Sequence, residues 1–226
     1  MNILELNRIV KNYHEISGET QAIADVSLAL RDGEILSLVG PSGCGKSTLL
    51  SIIGGLVKPS SGSVLLARPV KLGYMPQRDH LFEWRDIFSN ACLGVEIQKR
   101  KHKTPKTVHQ ENIKFIKDML IQYGLGDFLH HYPSQLSGGM RQRAALIRTL
   151  AVKPDILLLD EPFSALDYQT RLYVADEITA IIRQQKKTVV FVTHDISEAI
   201  AVSDRVIVLS GRPARVSAEH EIELTP

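Results

Sequence analysis

Three runs in this chain are almost continuously apolar: "EILSLVG" (34–40), "DILLLD" (155–160) and "KTVVFVTH" (187–194). Runs of this length with no polar face read as strands buried on both sides of a sheet. "RVIVL" (205–209) reads as the last core strand. Residues 3–13 and 23–30 follow a different rhythm. In "DVSLAL" the apolar positions alternate, with Val26, Leu28 and Leu30 on one side, as in a half-buried strand. "SVLLA" and "KLGYM" read as two further short strands, and "KPSSG" (58–62) as a turn. Helical spacing is expected in "KSTLLSIIGGLV" and over 86–98, 109–123, 138–151, 169–185 and 197–203. Over 109–123, Ile113, Ile116, Leu120 and Tyr123 share a face.

Buried strands alternating with helices predict an α/β fold with a mainly parallel sheet. The two early strands predict an antiparallel patch beside it. No convincing buried strand lies between about 80 and 150. The expected layout is one domain over 1–226. An α/β core with an antiparallel β part takes about 1–76 and 152–226, and a helical subdomain takes about 77–151. The chain has 226 residues, of which 44% are hydrophobic, enough for a sizeable core. The lysine-rich "QKRKHKTPK" (98–106) reads as a solvated loop.

Charge and targeting signals narrow the function. A net charge of +2 argues against a dedicated nucleic-acid binder, and no nucleic-acid partner is expected. The N-terminus "MNILELNRIV" carries Glu5 and Arg8 inside its apolar stretch and does not look like a signal peptide. No run of about 18 apolar residues occurs, so the chain does not span a membrane by itself. Of the two cysteines, Cys92 and Cys44, the second lies within a glycine-rich stretch that a disulfide would obstruct. A reducing compartment is the simpler expectation.

That stretch is "GPSGCGKST": Gly40, Pro41, Ser42, Gly43, Cys44, Gly45, Lys46, Ser47 and Thr48. Its spacing matches a phosphate-binding loop between a strand and a helix. Glycines let backbone N–H groups turn toward a phosphate, and the helix N-terminus adds its positive end. Lys46 would reach the β- and γ-phosphates, and the Ser47 hydroxyl could ligate Mg²⁺. "ILLLDE" (156–161) ends a buried strand in two acids. Asp160 would stand in the Mg²⁺ shell, and Glu161 could polarise an attacking water. "QLSGGMRQR" (135–143) supplies a second helix N-terminus fit for an anion. Two such ends in one chain imply a second nucleotide.

This stretch resembles the signature motif of the ATP-binding cassette (ABC) ATPases, and its surroundings match that family in order and spacing. Gln77 in "YMPQ" resembles the family's Q-loop, "SALD" (164–167) its D-loop and His194 in "VTHD" its switch histidine. Tyr13 in "VKNY" resembles the aromatic that stacks on adenine. The resemblance implies ATP and Mg²⁺ as ligands and assigns roles. Gln77 contacts Mg²⁺ or the lytic water, and His194 orients the γ-phosphate and water. Ser137, Gly138 and Gly139 bind the nucleotide of an opposite copy, and Asp167 lies at that interface. Trp84, the only tryptophan, packs in the helical subdomain or faces a partner; the sequence leaves both open.

"LSGGMRQR", "SGRPARV" and "WRDIFSNACLGVEIQ" resemble the importer branch for nitrate, sulfonates and taurine. Met140 stands where the commonest signature has Gln, and "LFEW" replaces a usual Leu-Pro-Trp. The segment between "SSGSV" and "YMPQ" is shorter than usual, which predicts a tight antiparallel hairpin. The resemblance implies an ATP-hydrolysing subunit, cytoplasmic and peripheral on the inner face of the membrane. Its partners would be transmembrane permease subunits, a second ATPase copy and a solute-binding protein. The alternative is a soluble ABC ATPase that drives assembly of a complex. The stretch between Lys46 and Ser137 carries no long heptad run, which disfavours the coiled-coil DNA-repair versions.

Overall fold

The chain opens with two long antiparallel strands, β1 (Asn2–Glu15) and β2 (Gly18–Arg31), in which Leu4 faces Leu30 and Leu6 faces Leu28. This computed structural model describes residues 1–15, 18–102, 106–164, 166 and 168–223. After β2 come β3 (Ile35–Val39) and the helix α1 (Lys46–Ile53). β4 (Ser61–Leu66) and β5 (Leu72–Met75) follow. Three helices come next: α2 (Ile87–His102), α3 (Lys106–Gln122) and α4 (Gly138–Leu150). The chain then alternates β6 (Ile156–Asp160), α5 (Tyr168–Gln184), β7 (Thr188–Thr193), α6 (Ile196–Val202) and β8 (Arg205–Leu209). It adds β9 (Ala214–Glu221). The strands form one sheet in the order β4-β1-β2-β9-β8-β3-β7-β6-β5. From β8 to β5 all neighbours are parallel.

Side-chain alternation explains why the central runs lack a polar face. In β6, Leu157 and Leu159 enter a core shared with α2, α3, α4 and α5, while Ile156 and Leu158 enter a second core. That second core holds Leu49, Leu50, Ile52 and Ile53 of α1 together with Leu4, Leu6, Val26 and Leu30 of β1 and β2. Both faces of the strand are covered, so every position favours an apolar residue. Ile116 and Leu120 of α3 are fully buried, with Ile113 and Tyr123 packed beside them. Cys44 and Cys92 are both buried free thiols.

Three expectations need correction. β4 and β5 do not form a hairpin. β4 pairs antiparallel with β1 at one edge of the sheet, and β5 pairs parallel with β6 at the other. Shortness of the link was the wrong guide, because each strand finds its partner elsewhere. β8 is not the last strand. β9 runs antiparallel to β8 and parallel to β2, joining the two parts of the sheet. Its outward polar residues, such as Arg215, Ser217 and Glu219, hide it from a search for apolar runs. The stretch 98–106 is not a loop throughout: α2 continues to His102 and α3 begins at Lys106, with 103–105 outside the described residues.

Arg205 ties this junction together. From β8 it donates Nε and Nη2 to the two oxygens of Glu34, at 2.6 and 3.0 Å, and Nη1 to Glu219 of β9. It also donates to the carbonyl of Ala29 in β2. The Arg205 and Glu34 side chains are only 6% and 5% exposed, whereas Glu219 is 49% exposed. Removing one partner of a buried pair strands a charge. Glu34→Ala is therefore expected to lose about 3 kcal/mol in denaturant unfolding, and Glu219→Ala less than about 1 kcal/mol. Equal losses would contradict this division of roles.

Candidate functional site

β3 ends at Val39, and the glycine-rich stretch turns from there into α1. Gly45 has φ 122°, and a Cβ there would lie 2.9 Å from the carbonyl oxygen of Ala22. Glycine is required at this position both by backbone conformation and by space. Gly43 is also left-handed, at φ 74°. A Cβ on Gly40 would meet the Leu209 carbonyl at 2.9 Å and Cys44 Sγ at 3.0 Å. Lys46 is buried, and its Nζ donates to the carbonyls of Gly40 and Pro41 at 2.7 and 3.0 Å. The cation thus closes the loop on itself. Pro41 and Ser42 are exposed at the crest, and Thr48 lies within α1. A cleft beside the loop is lined by Ala22, Gly43, Gly45, Lys46, Ser47, Thr48, Glu161 and Arg212. The first backbone N–H groups of a helix have no partner within it, so this end suits an anion.

The acids at the end of β6 stand beside that cleft. Ser47 Oγ donates to Asp160 Oδ1 at 2.8 Å, and the Tyr74 hydroxyl donates to Oδ2 at 3.3 Å. Burial pushes the Asp160 carboxyl above the ordinary carboxylate range, against the pull of these hydrogen bonds. Glu161 has φ 44°, which swings its side chain back toward the loop. Its Oε1 lies 3.9 Å from Lys46 Nζ. Its Oε2 accepts from Gln77 Nε2 at 3.3 Å and lies 3.2 Å from His194 Nδ1. The His194 loop is fixed locally. Asp195 caps α6 by accepting from the N–H groups of Ser197 and Glu198, and Thr193 Oγ1 donates to Glu198.

The structure therefore brings Lys46, Ser47, Asp160, Glu161, Gln77 and His194 into one cluster. Other sequence candidates lie outside it. Ser137 caps α4, accepting from the Met140 N–H at 3.3 Å, and is exposed with Gly138 at the helix end. Gly139 is buried, and a Cβ on Gly138 would meet Leu166 at 2.9 Å. Tyr13 is half-buried in β1, with Lys11 Nζ 5.0 Å from its ring centre, and does not line the cleft. Asp167 lies outside the described residues. Trp84 is 74% exposed and stacks against Phe82. Sequence reasoning missed three side chains here: Tyr74 on Asp160, Arg212 on the cleft, and Ser164. The Ser164 hydroxyl receives Gln77 Nε2 at 3.3 Å and donates to the Glu161 carbonyl. Ser164 opens "SALD" and Arg212 sits in "SGRPARV", so motif membership was the available signal.

Residues 23–164 match the family model of the ABC transporter. The chain belongs to the ABC transporter family. It is 43% identical to the uncharacterized ABC transporter ATP-binding protein YtlC of Bacillus subtilis, over 100% of this chain and 85% of that one. It is 36% identical to the taurine import ATP-binding protein TauB of Roseobacter denitrificans, over 98% of this chain and 83% of that one. A solved dimer of the ATP-binding cassette MJ0796, in a post-hydrolysis state bound to ADP and Pi, superposes with a TM-score of 0.80 at 30% identity. That match covers 98% of this chain and all of that one. The cassette is an ATPase with the α/β fold of a P-loop NTPase. Among its described residues no helix is long and apolar enough to cross a membrane.

The donor set suits Mg²⁺, a hard cation that takes oxygen ligands and keeps several waters. Ser47 Oγ and an Asp160 oxygen already converge, and the Gln77 amide oxygen could join them. Phosphate and water oxygens would complete the shell. Without a cation, ionised Asp160 costs stability, since burial favours its protonated form. The folded state holds that proton to higher pH than the unfolded state does, so this cost is present above the raised folded pKa. It fades as pH falls through that pKa toward the ordinary carboxylate value. Asp160→Asn is thus expected to melt no lower than the wild type at neutral pH without nucleotide. Its advantage should shrink toward zero by about pH 4, while Mg²⁺-nucleotide binding is weakened at every pH. Thermal unfolding from neutral to acid pH checks this; a variant less stable at neutral pH and equal in acid would reverse it.

Proposed function

We propose that this ABC ATPase is the energising subunit of a membrane importer for small solutes such as taurine, nitrate or sulfonates. One observation carries the reading. The carboxylate placed to activate water, Glu161, receives Gln77, the residue that opens the segment from Gln77 to Leu93, in which Gln77, Arg78, His80, Glu83 and Trp84 are exposed. A permease pressing on that segment would move a direct ligand of the hydrolytic group. The likeness to TauB, a taurine import protein, supports the solute class. The cassette would then lie on the inner face of the membrane, with permease subunits and a solute-binding protein as partners.

Chemistry and coupling follow from the same cluster. Lys46 binds the β- and γ-phosphates of ATP. Glu161 takes a proton from water as it attacks the γ-phosphorus, the bond to the β-phosphate oxygen breaks, and ADP and phosphate leave. Gln77 and His194 hold the Glu161 carboxylate in place from two sides. Mg²⁺ on Ser47 and Asp160 would supply charge neutralisation on the phosphate chain. Beyond Gln77, Arg141 of α4 donates to Asp79 at 2.8 Å, and Arg148 donates to the carbonyls of Asp79 and His80. Burial pushes the Asp79 carboxyl up, but its hydrogen bonds from Arg141 and the Leu81 N–H outweigh this and hold it low. The segment after Gln77 is thereby bolted to the helix that begins at Ser137. We divide the cassette accordingly, with a helical subdomain over about 77–151.

Ser137, Gly138 and Gly139 do not line the cleft of their own chain. In this reading two copies pair head to tail, and each α4 N-terminus meets the γ-phosphate held by the other copy. Tyr13 stacks on adenine, and Asp167 lies between the copies. Glu161→Gln keeps the shape of the side chain but not the charge that activates water. It is expected to accumulate as an ATP-bound dimer by light scattering, and Ser137→Arg added to it should restore monomers that still bind ATP. A Glu161→Gln protein that stayed monomeric in saturating ATP, alone and with its permease, would refute the shared site.

The coupling surface has its own test. Arg85, half-buried, lies beside the exposed Trp84 and pairs with Glu96 at 2.7 Å. A cysteine placed at Arg85 is expected to crosslink to a cytoplasmic loop of the permease, and one placed at Lys186 is not. The reverse pattern, or crosslinks to an assembly scaffold in place of a permease, would overturn the importer reading.

A further inference from the structure

The turn between β8 and β9 lies against the phosphate loop at both of its ends. A Cβ on Gly40 would touch the carbonyl of Leu209, the last residue of β8, at 2.9 Å. A Cβ on Gly45 would lie 3.5 Å from the Cβ of Ala214, the first residue of β9. Ala214 is buried and paired with Ile23 of β2. The turn is closed on itself. The Ser210 N–H donates to the Arg215 carbonyl, and the Arg215 N–H donates to Ser210 Oγ, both at 2.9 Å. Ser210 Oγ donates onward to the carbonyls of Gly211 and Pro213. This turn is therefore a fixed strap over the loop, and its tip presents Arg212 to the cleft.

Arg212 makes no hydrogen bond or ion pair among the described residues, and it is exposed. The cleft it lines has one other cation, Lys46, and one anion, Glu161. The Lys46 ammonium is already shared between two carbonyls and lies 3.9 Å from Glu161. A nucleotide brings several negative charges into this space. Glu161 is held by Gln77 and His194, which places the hydrolytic end of the cleft there. Gln77 and His194 themselves do not line the cleft. Arg212 shares the cleft with Glu161 as well as with Ala22, Gly43 and the Gly45–Thr48 end of the loop. Ala214 of the strap is seated against Gly45, at the helix end of the loop, where the phosphates that are not transferred would lie. A guanidinium offers a planar fork of donors that fits phosphate oxygens.

We propose that Arg212 is a nucleotide-binding residue, whose guanidinium closes over the α- and β-phosphates of ATP and ADP from the strap between β8 and β9. This rests on the reading of the cleft as the nucleotide site. Because the contact is to phosphates present before and after hydrolysis, it binds both nucleotides alike. It also gives a physical task to "SGRPARV", in which Ser210 shapes the strap, Ala214 seats it and Arg212 reaches the ligand.

Calorimetric titration of purified protein with Mg-ADP, and with Mg-ATP in the Glu161→Gln background, tests this. Arg212→Ala is expected to weaken both nucleotides by a similar factor of about tenfold, the worth of one partly exposed charge-assisted contact. Arg212→Lys should recover part of the loss by keeping the charge. Arg215→Ala, the neighbour that does not line the cleft, should bind as the wild type. The apo melting temperatures of the Arg212 variants should match the wild type, since this side chain is exposed and makes no hydrogen bond or ion pair among the described residues. An Arg212→Ala loss below about twofold, a loss confined to ATP, or Lys no better than Ala would each overturn the proposal. Wild-type protein that bound no ADP would instead remove the nucleotide site itself.

Discussion

Four parallel strands end almost flush, and the site depends on that register. Val39 of β3 lies opposite Thr193 of β7, Asp160 of β6 lies opposite Val192, and Met75 of β5 lies opposite Leu159. The residues immediately beyond these ends are Gly40, His194, Glu161 and the Pro76–Gln77 step. Each chemical group thus leaves the sheet at the same level and meets the others without a long loop. Ligands of parallel α/β sheets gather at this carboxyl edge because the loops there splay around a shared crevice. A slip by one residue in any strand would turn its apolar set to the wrong core and carry the functional residue away. Packing and chemistry are therefore secured by one register.

Glu161 is the exception that this regularity supports. A non-glycine residue at φ 44° stores backbone strain, which persists only where surroundings over-determine the conformation. Here they do. The Glu161 N–H donates to Val192 at 2.8 Å, its carbonyl accepts from Ser164, and its carboxylate meets Gln77 and His194. The turn directs the carboxylate over the phosphate loop in place of letting it continue along the strand into solvent. Asp160, one residue earlier, keeps regular strand geometry and points inward to Ser47 and Tyr74. Two adjacent acids thus face different neighbours, and the difference arises at a single backbone angle.

The sequence made some of this plain and hid the rest for physical reasons. β3, β6, β7 and β8 were legible because strands covered on both faces must be apolar throughout. The glycine-rich turn was legible because left-handed backbone at Gly43 and Gly45 demands a residue type that the eye can find. β9 was not, since only part of it is buried and its polar positions read like a loop. The pairing of β4 with β1, far from β5, was hidden because local spacing says nothing about which distant edge is open. Tyr74 could not be foreseen as a partner of Asp160. Its hydroxyl reaches the acid only because β5 lies next to β6, a fact of topology. Arg212 escaped for the same reason: it is distant in sequence from the phosphate loop and adjacent in space.

The helix α4 shows how such long-range placement makes a mechanism available. Its N-terminus at Ser137 is exposed and offers unpaired N–H groups, while Arg141 and Arg148, further along the same rod, grip Asp79 and His80. These are charge-assisted bonds to a segment that begins two residues after Gln77. A displacement of that segment cannot leave α4 behind without breaking several such bonds, each worth more than an ordinary hydrogen bond. The Gln77 amide, by contrast, meets Glu161 and Ser164 at 3.3 Å, at the long end of hydrogen-bond geometry. Under load the weaker contacts yield first. Under the proposed coupling, the seam that opens would lie between Gln77 and Glu161, and α4 would follow the segment that its arginines hold. In the proposed reading, that ordering of contact lengths is what would let a force applied at the segment from Gln77 to Leu93 reach Glu161.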